Sequence, residues 1–152
     1  MKYHNITKDD MLNGDGIRVV LWVSGCSHHC KGCHNPKTWN PKHGLDFDEN
    51  AKREIFEELS KDYVSGITFS GGDPLHPLNR DTITELAKEI TTKFPKKSIW
   101  LYTGYLYEEL YGLEVLNYID VLVDGKFEQD KLSPNSPWVK SSNQRVIPLC
   151  VL

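Results

Sequence analysis

A chain of 152 residues, 39% hydrophobic and 26% charged, is long enough to bury one sizeable core, about 70% of the surface its unfolded form exposes, and too apolar to stay disordered. Its 18 basic and 21 acidic residues leave a net charge of −3 with no basic stripe, which argues against nucleic acid as a partner. No apolar run reaches membrane-spanning length and MKYHNITKDD lacks the apolar centre of a signal peptide, so one cytoplasmic domain over residues 1–152 is expected, with no membrane partner.

Residues 17–23, IRVVLWV, are β-branched and almost continuously apolar, as a strand covered on both faces should be. After a cysteine-containing loop, Asp48 is placed to cap a helix with Ala51, Ile55, Phe56 and Leu59 on one face. GITF (66–69) reads as the second strand. Asn79 is then expected to cap a helix carrying Ile83, Leu86, Ala87 and Ile90, with Pro95 just beyond its end. SIWLY (98–102) reads as the third strand, residues 105–117 as a weaker helix interrupted by Gly112, and DVLV (120–123) as the fourth strand. The tail from 125 to 138 carries Pro134 and Pro137 and shows no periodicity, while QRVIPL offers an edge strand.

The order β-α-β-α-β-α-β implies an α/β fold with right-handed crossovers and parallel neighbours. Four strands are too few to close an eight-stranded barrel, so a partial, open (β/α) barrel or sheet of parallel strands is expected. Ligands of such sheets bind where the strands end. The segments there are SGCSHHCKGCHNP, SGGDP, TGY and DGKF, so every glycine-containing, chemically rich loop falls on one rim.

Three of the four cysteines, Cys26, Cys30 and Cys33, fall within eight residues, a poor framework for disulfides and a good one for a metal. CxxxCxxC wraps three thiolates around one inorganic centre. A four-iron cluster held by three cysteines keeps one iron open to a chelating amine and carboxylate, whereas four would close it. Structural zinc, completed by His28, His29, His34 or Cys150, stays open on these residues alone, as does a redox pair within CxxC. His28 and His29 read as solvent-facing loop residues, Asn35 and Pro36 as shaping the loop, and Cys150 as a small apolar side chain.

CxxxCxxC with CHNPKTW at 33–39, NGDGIR upstream, SGGDP downstream and SSNQR near the end resembles the radical S-adenosylmethionine activases of glycyl-radical enzymes, most closely the small ones that serve the anaerobic ribonucleoside-triphosphate reductase. The resemblance covers nearly the whole chain. It implies a radical-SAM type fold, a [4Fe-4S] cluster on Cys26, Cys30 and Cys33, S-adenosyl-L-methionine as second cofactor, and an electron donor such as a flavodoxin-type protein. The implied activity is reductive cleavage of S-adenosylmethionine to place a glycyl radical on the large reductase subunit. The alternatives are an activase of another glycyl-radical enzyme and a noncatalytic zinc or iron–sulfur binding module.

By the same resemblance, Ser70, Gly71, Gly72 and Asp73 receive the amino group of the methionine moiety, and Thr103 and Gly104 contact its ribose or methionine end. Glycines that admit close backbone approach and a carboxylate that accepts from an ammonium suit that role, although Gly-Gly-Asp-Pro is also ordinary turn chemistry. Asp124, Gly125 and Lys126 are expected to face the radical chamber or to form a plain turn. Trp100 and Tyr102 are expected in the core. The sequence departs from the resembled pattern at Asn13-Gly14-Asp15-Gly16, where many relatives read DGPG. It departs again at Gly32, where many carry an aromatic residue against adenine, so that adenine must be held by backbone or by another ring.

Overall fold

The computed structural model describes residues 1–26, 28–32, 39–133 and 136–149. Seven strands form a single mixed sheet: β1 (Lys2–Asp10), β2 (Arg18–Val23), β3 (Leu45–Asp46), β4 (Gly66–Gly71), β5 (Ser98–Tyr102), β6 (Val121–Asp124) and β7 (Arg145–Pro148), in the order β3-β1-β2-β4-β5-β6-β7. The central strands β2, β4, β5 and β6 pair in parallel, as the alternating pattern predicted. Antiparallel β1 and β3 extend one side and antiparallel β7 the other, and the sheet stays open.

The two α-helices, α1 (Glu49–Leu59) and α2 (Arg80–Lys93), cross over between parallel strands. Side chains alternate across a strand. Val19, Leu21, Val23, Ile67, Phe69, Ile99, Leu101 and Leu122 therefore form one buried layer with Ala51, Ile55 and Leu59 of α1 and Ile83, Leu86, Ala87 and Ile90 of α2. The intervening residues, Arg18, Val20, Trp22, Thr68, Ser70, Trp100 and Tyr102, belong to the opposite face, where the cavity described below lies.

At the start of that face Arg18 is fully buried. Its guanidinium donates to Thr68 Oγ1, Ser98 Oγ and the carbonyls of Asp15, Ile67 and Ser98, and lies 5.6 Å from the Trp100 ring centroid. Removal from water lowers its pKa to about 10. Thr68 in turn donates to the Asn13 carbonyl at 2.6 Å, so the NGDG turn is tied onto the sheet through Arg18 and Thr68.

Three expectations change. Residues 105–117 hold no α-helix: two 3-10 turns, Tyr107–Leu110 and Glu114–Asn117, flank Gly112, whose φ of +86° ends any helical run, and Leu110 and Val115 anchor them in the core. Asn79 sits at the α2 N-cap position without capping it, because its side-chain amide donates to the Ser24 and Asp73 carbonyls instead. Strand β1 went unpredicted because it is largely polar at the sheet's margin and buries only Ile6. The Asp48 cap holds, with Oδ1 accepting from Ala51 N at 3.0 Å. Among the described residues, no helix is long and apolar enough to cross a membrane.

Candidate cofactor site

The loops that follow the parallel strands meet around a cavity of about 290 Å³, a volume at the lower end of the range for ligand pockets. Cys26 and Cys30 are on its wall with Ser70, Gly71, Gly72, Thr103 and Gly104. Trp22, Trp39, Tyr102, Phe127 and Trp138 supply an aromatic lining. Cys33, with Asn35 and Pro36, lies outside the described residues, as does Cys150. Two of the three predicted cluster thiols thus face the same space as the glycine-rich loop, and no metal-binding group of three is present among the described residues.

Local geometry explains why the loops converge. Gly71 ends β4 at φ +107°, and a Cβ there would lie 2.5 Å from the backbone N and O of Val23, so a side chain cannot fit while β4 closes onto β2. Gly72 N donates to Val23 O at 2.8 Å and Asp73 N to Gly25 O at 2.6 Å, which sews the glycine-rich loop to the cysteine loop. The cysteine loop is closed on itself where Cys26 N donates to Trp39 O at 3.0 Å. Burial pushes the Cys26 thiol up to about 11, so the free thiolate is disfavoured at neutral pH and a cation beside it restores it.

Asp73 does not line the cavity. It is buried beneath it, and its carboxylate accepts from Leu75 N (2.9 Å), Thr103 Oγ1 (2.9 and 3.0 Å), Gly104 N (3.0 Å) and His28 Nε2 (2.7 Å). One side chain thereby fastens the ends of β2, β4 and β5. The His28 side chain, expected in solvent, is 6% exposed instead, held between Asp73 and the Tyr105 ring, which it meets edge to face with the ring centroids 4.6 Å apart. Gly104 must lack a side chain because the His28 ring fills the place of its Cβ. His29 is exposed as expected, stacked on Trp39 at 4.4 Å. Tyr102, expected in the core, is half-buried on the cavity wall.

Sequence reasoning missed His28, Tyr102 and Trp39 as wall and support residues. Strand alternation carried the signal for Tyr102, since Trp22, Ser70 and Tyr102 share the face opposite the helices. His28 had none: its partner is forty-five positions away.

An open mixed sheet with a parallel centre, and a cysteine loop sharing a cavity with a glycine-rich loop, define the scaffold of a single-cluster iron–sulfur protein. A family profile described as a 4Fe-4S single cluster domain matches residues 12–147. The chain is 47% identical over 146 residues to the anaerobic ribonucleoside-triphosphate reductase-activating protein of Enterobacteria phage T4, covering 96% of this chain and 93% of that one. It is 43% identical over 150 residues to the proteins of the same name from Escherichia coli K12 (96% and 97% covered) and Pasteurella multocida (95% and 95%). The chain belongs to the family of anaerobic ribonucleoside-triphosphate reductase-activating proteins.

Proposed function

We propose that this chain is a radical S-adenosylmethionine activase, in one radical-SAM domain, that generates a glycyl radical on the anaerobic ribonucleoside-triphosphate reductase. The observation that carries the reading is the placement of Cys26 and Cys30 on the wall of one cavity with Ser70, Gly71, Gly72, Thr103 and Gly104. The open sheet is read as a partial (β/α) barrel whose inner face holds that cavity.

The residues present fit both cofactors. Cys26 and Cys30, with Cys33, supply soft thiolates in the number that leaves one iron open. Gly71 and Gly104 are bare backbone where a side chain cannot be placed. Ser70 and Gly72 offer polar backbone to an amino acid end, and Thr103 and Gly104 face the same space from the next strand. Asp73 serves through these neighbours, fixing Thr103, Gly104 and His28 by its four donors. The aromatic lining, which includes Trp39 and Tyr102, takes the place of the ring that Gly32 lacks. When bound, the cluster supplies a low-potential electron and S-adenosylmethionine the radical that takes a hydrogen atom from a glycine Cα. The chain's own residues hold, orient and exclude water. The electron is delivered by a flavodoxin-type protein.

The test is anaerobic. Reconstituted, reduced protein with S-adenosylmethionine should give a glycyl doublet in electron paramagnetic resonance only when the reductase is added, and none when the reductase's radical-site glycine is alanine. Colourless protein holding one zinc, or a doublet formed only with another glycyl-radical enzyme, overturns the assignment.

A further inference from the structure

Polar groups buried in a folded protein are paired as a rule, because an unpaired one is a standing cost to the fold. Among the described residues, the cavity wall carries two exceptions, Trp39 Nε1 and Tyr102 Oη, both buried and neither with a hydrogen-bond partner. A third polar ring on the same wall shows the contrast: Trp22 Nε1 donates to Thr7 Oγ1 at 2.9 Å.

Both unpaired groups sit on fixed rings. The Trp39 carbonyl accepts from Cys26 N, and the His29 ring lies on one face of the indole with the two planes 14° apart. Tyr102 ends β5 on the inner face of the sheet, where burial holds its pKa well above the ordinary tyrosine value. Its hydroxyl is therefore neutral, a donor and an acceptor at once. Ser70 pairs with Trp22 and lies beside Tyr102, one step beyond the Phe69–Leu101 pair, so one small side chain separates two large rings and leaves room over β4. Position 32 cannot supply a ring to that space. Gly32 has a φ of +74°, and a Cβ there would lie 2.9 Å from Cδ of Gln129, which is not part of the cavity wall.

The chemistry of the two groups matches a nucleoside. An indole N–H only donates, so its partner must be an acceptor. The ammonium and sulfonium of S-adenosylmethionine accept nothing, and the amino acid end is already assigned to residues 70–72. The ring nitrogens of adenine remain, on a base whose flat face suits an aromatic wall. A hydroxyl that both donates and accepts suits a ribose hydroxyl, which does the same. We propose that Trp39 and Tyr102 recognise the nucleoside of S-adenosylmethionine, Trp39 Nε1 donating to an adenine ring nitrogen and the Tyr102 hydroxyl bonding a ribose hydroxyl. This rests on the activase reading and deepens it.

The experiment uses Trp39→Phe and Tyr102→Phe in the cluster-loaded full chain, each of which keeps a ring and removes one polar atom. Anaerobic equilibrium dialysis measures the affinity for S-adenosylmethionine, for its 1-, 3- and 7-deaza analogues and for its 2′- and 3′-deoxy analogues. Iron content and the melting temperature without cofactor are read alongside. Each variant should bind S-adenosylmethionine about tenfold more weakly, the equivalent of one lost hydrogen bond, with iron content unchanged. One deaza analogue should bind wild type about tenfold more weakly than S-adenosylmethionine does, whereas the Trp39 variant should bind the two alike. One deoxy analogue should behave in the same way with the Tyr102 variant, and such coupling marks a direct bond. Because the Tyr102 hydroxyl has no partner in the free chain, Tyr102→Phe should leave the melting temperature without cofactor unchanged or raise it. Each residue stands or falls by its own analogue series. Wild-type affinity in a variant overturns its assignment. So does an affinity that falls by one factor for the cofactor and every analogue, or, for Tyr102, a melting temperature that falls with it, the marks of a merely structural role. Cluster-loaded wild type that binds no S-adenosylmethionine fails the activase reading itself, and the proposal falls with it.

Discussion

Replacing Asp73 by alanine tests the claim that one carboxylate ties three strand ends together. The substitution strands the Leu75 amide in a dry interior, at a cost of about 2 kcal/mol. It also strands the half-buried Gly104 amide and the Thr103 hydroxyl, at about 1 kcal/mol each, since water reaches the first and the second can rotate. The sum, about 4 kcal/mol, is a large part of the stability of an ordinary domain and corresponds to a melting temperature lower by about 12 °C for a chain of this length. Asp73→Asn keeps an acceptor for Leu75 and Thr103 and should lose about a third as much. Thermal unfolding followed by far-UV circular dichroism on anaerobically prepared protein measures both. A drop below about 3 °C in the alanine variant refutes the reasoning, because it shows that the three donors find other acceptors. The same variant should weaken S-adenosylmethionine binding, since Thr103, Gly104 and His28 lose their common anchor.

Changing Cys26, Cys30 or Cys33 singly to alanine should abolish the assembled cluster while Cys150→Ala retains it; iron and sulfide analysis decides, and iron retention in all three loop variants refutes the ligand set. Gly72→Val should leave the cluster in place and weaken S-adenosylmethionine binding by at least about tenfold, read by calorimetry on reconstituted protein, because a β-branched side chain restricts both backbone and approach. Unchanged affinity puts the methionine end on another loop. Asp48→Ala should lower stability by about 1 kcal/mol, or about 3 °C in melting temperature, with no effect on iron content, since it removes only the cap bond to Ala51.

Strands β2, β4, β5 and β6 and both helices were legible because each carries a local signature: a continuous apolar run, a helical apolar face, or a capping aspartate. The cysteine loop and the glycine-rich loop were legible as chemistry, and parallel pairing placed both at one rim. The extent of the sheet was less so. β3 is two exposed residues and β1 a largely polar, half-buried strand with one core residue, Ile6, so neither periodicity nor propensity marks them.

Residue type and spacing by themselves marked a thiolate centre, iron–sulfur or zinc, since thiolate number and loop length are local properties, and the family match decided for the four-iron cluster. They also determined the alternation that brings the loops together. Only the tertiary structure decided which polar side chain faces the cavity and which lies beneath it. Asp73 looked like a ligand in sequence and is a fastener in space, because its four donors come from residues 28, 75, 103 and 104. His28, on the same grounds, left solvent for the interior. The SSNQR segment carried part of the resemblance in sequence but no contact of its own, and its side chains meet the carbonyls of residues 125 and 126 only when β7 lies beside β6. Most of these roles depend on partners distant in sequence, and at Asp73 burial makes the bonds to Leu75 and Thr103 obligatory once the chain has closed around them.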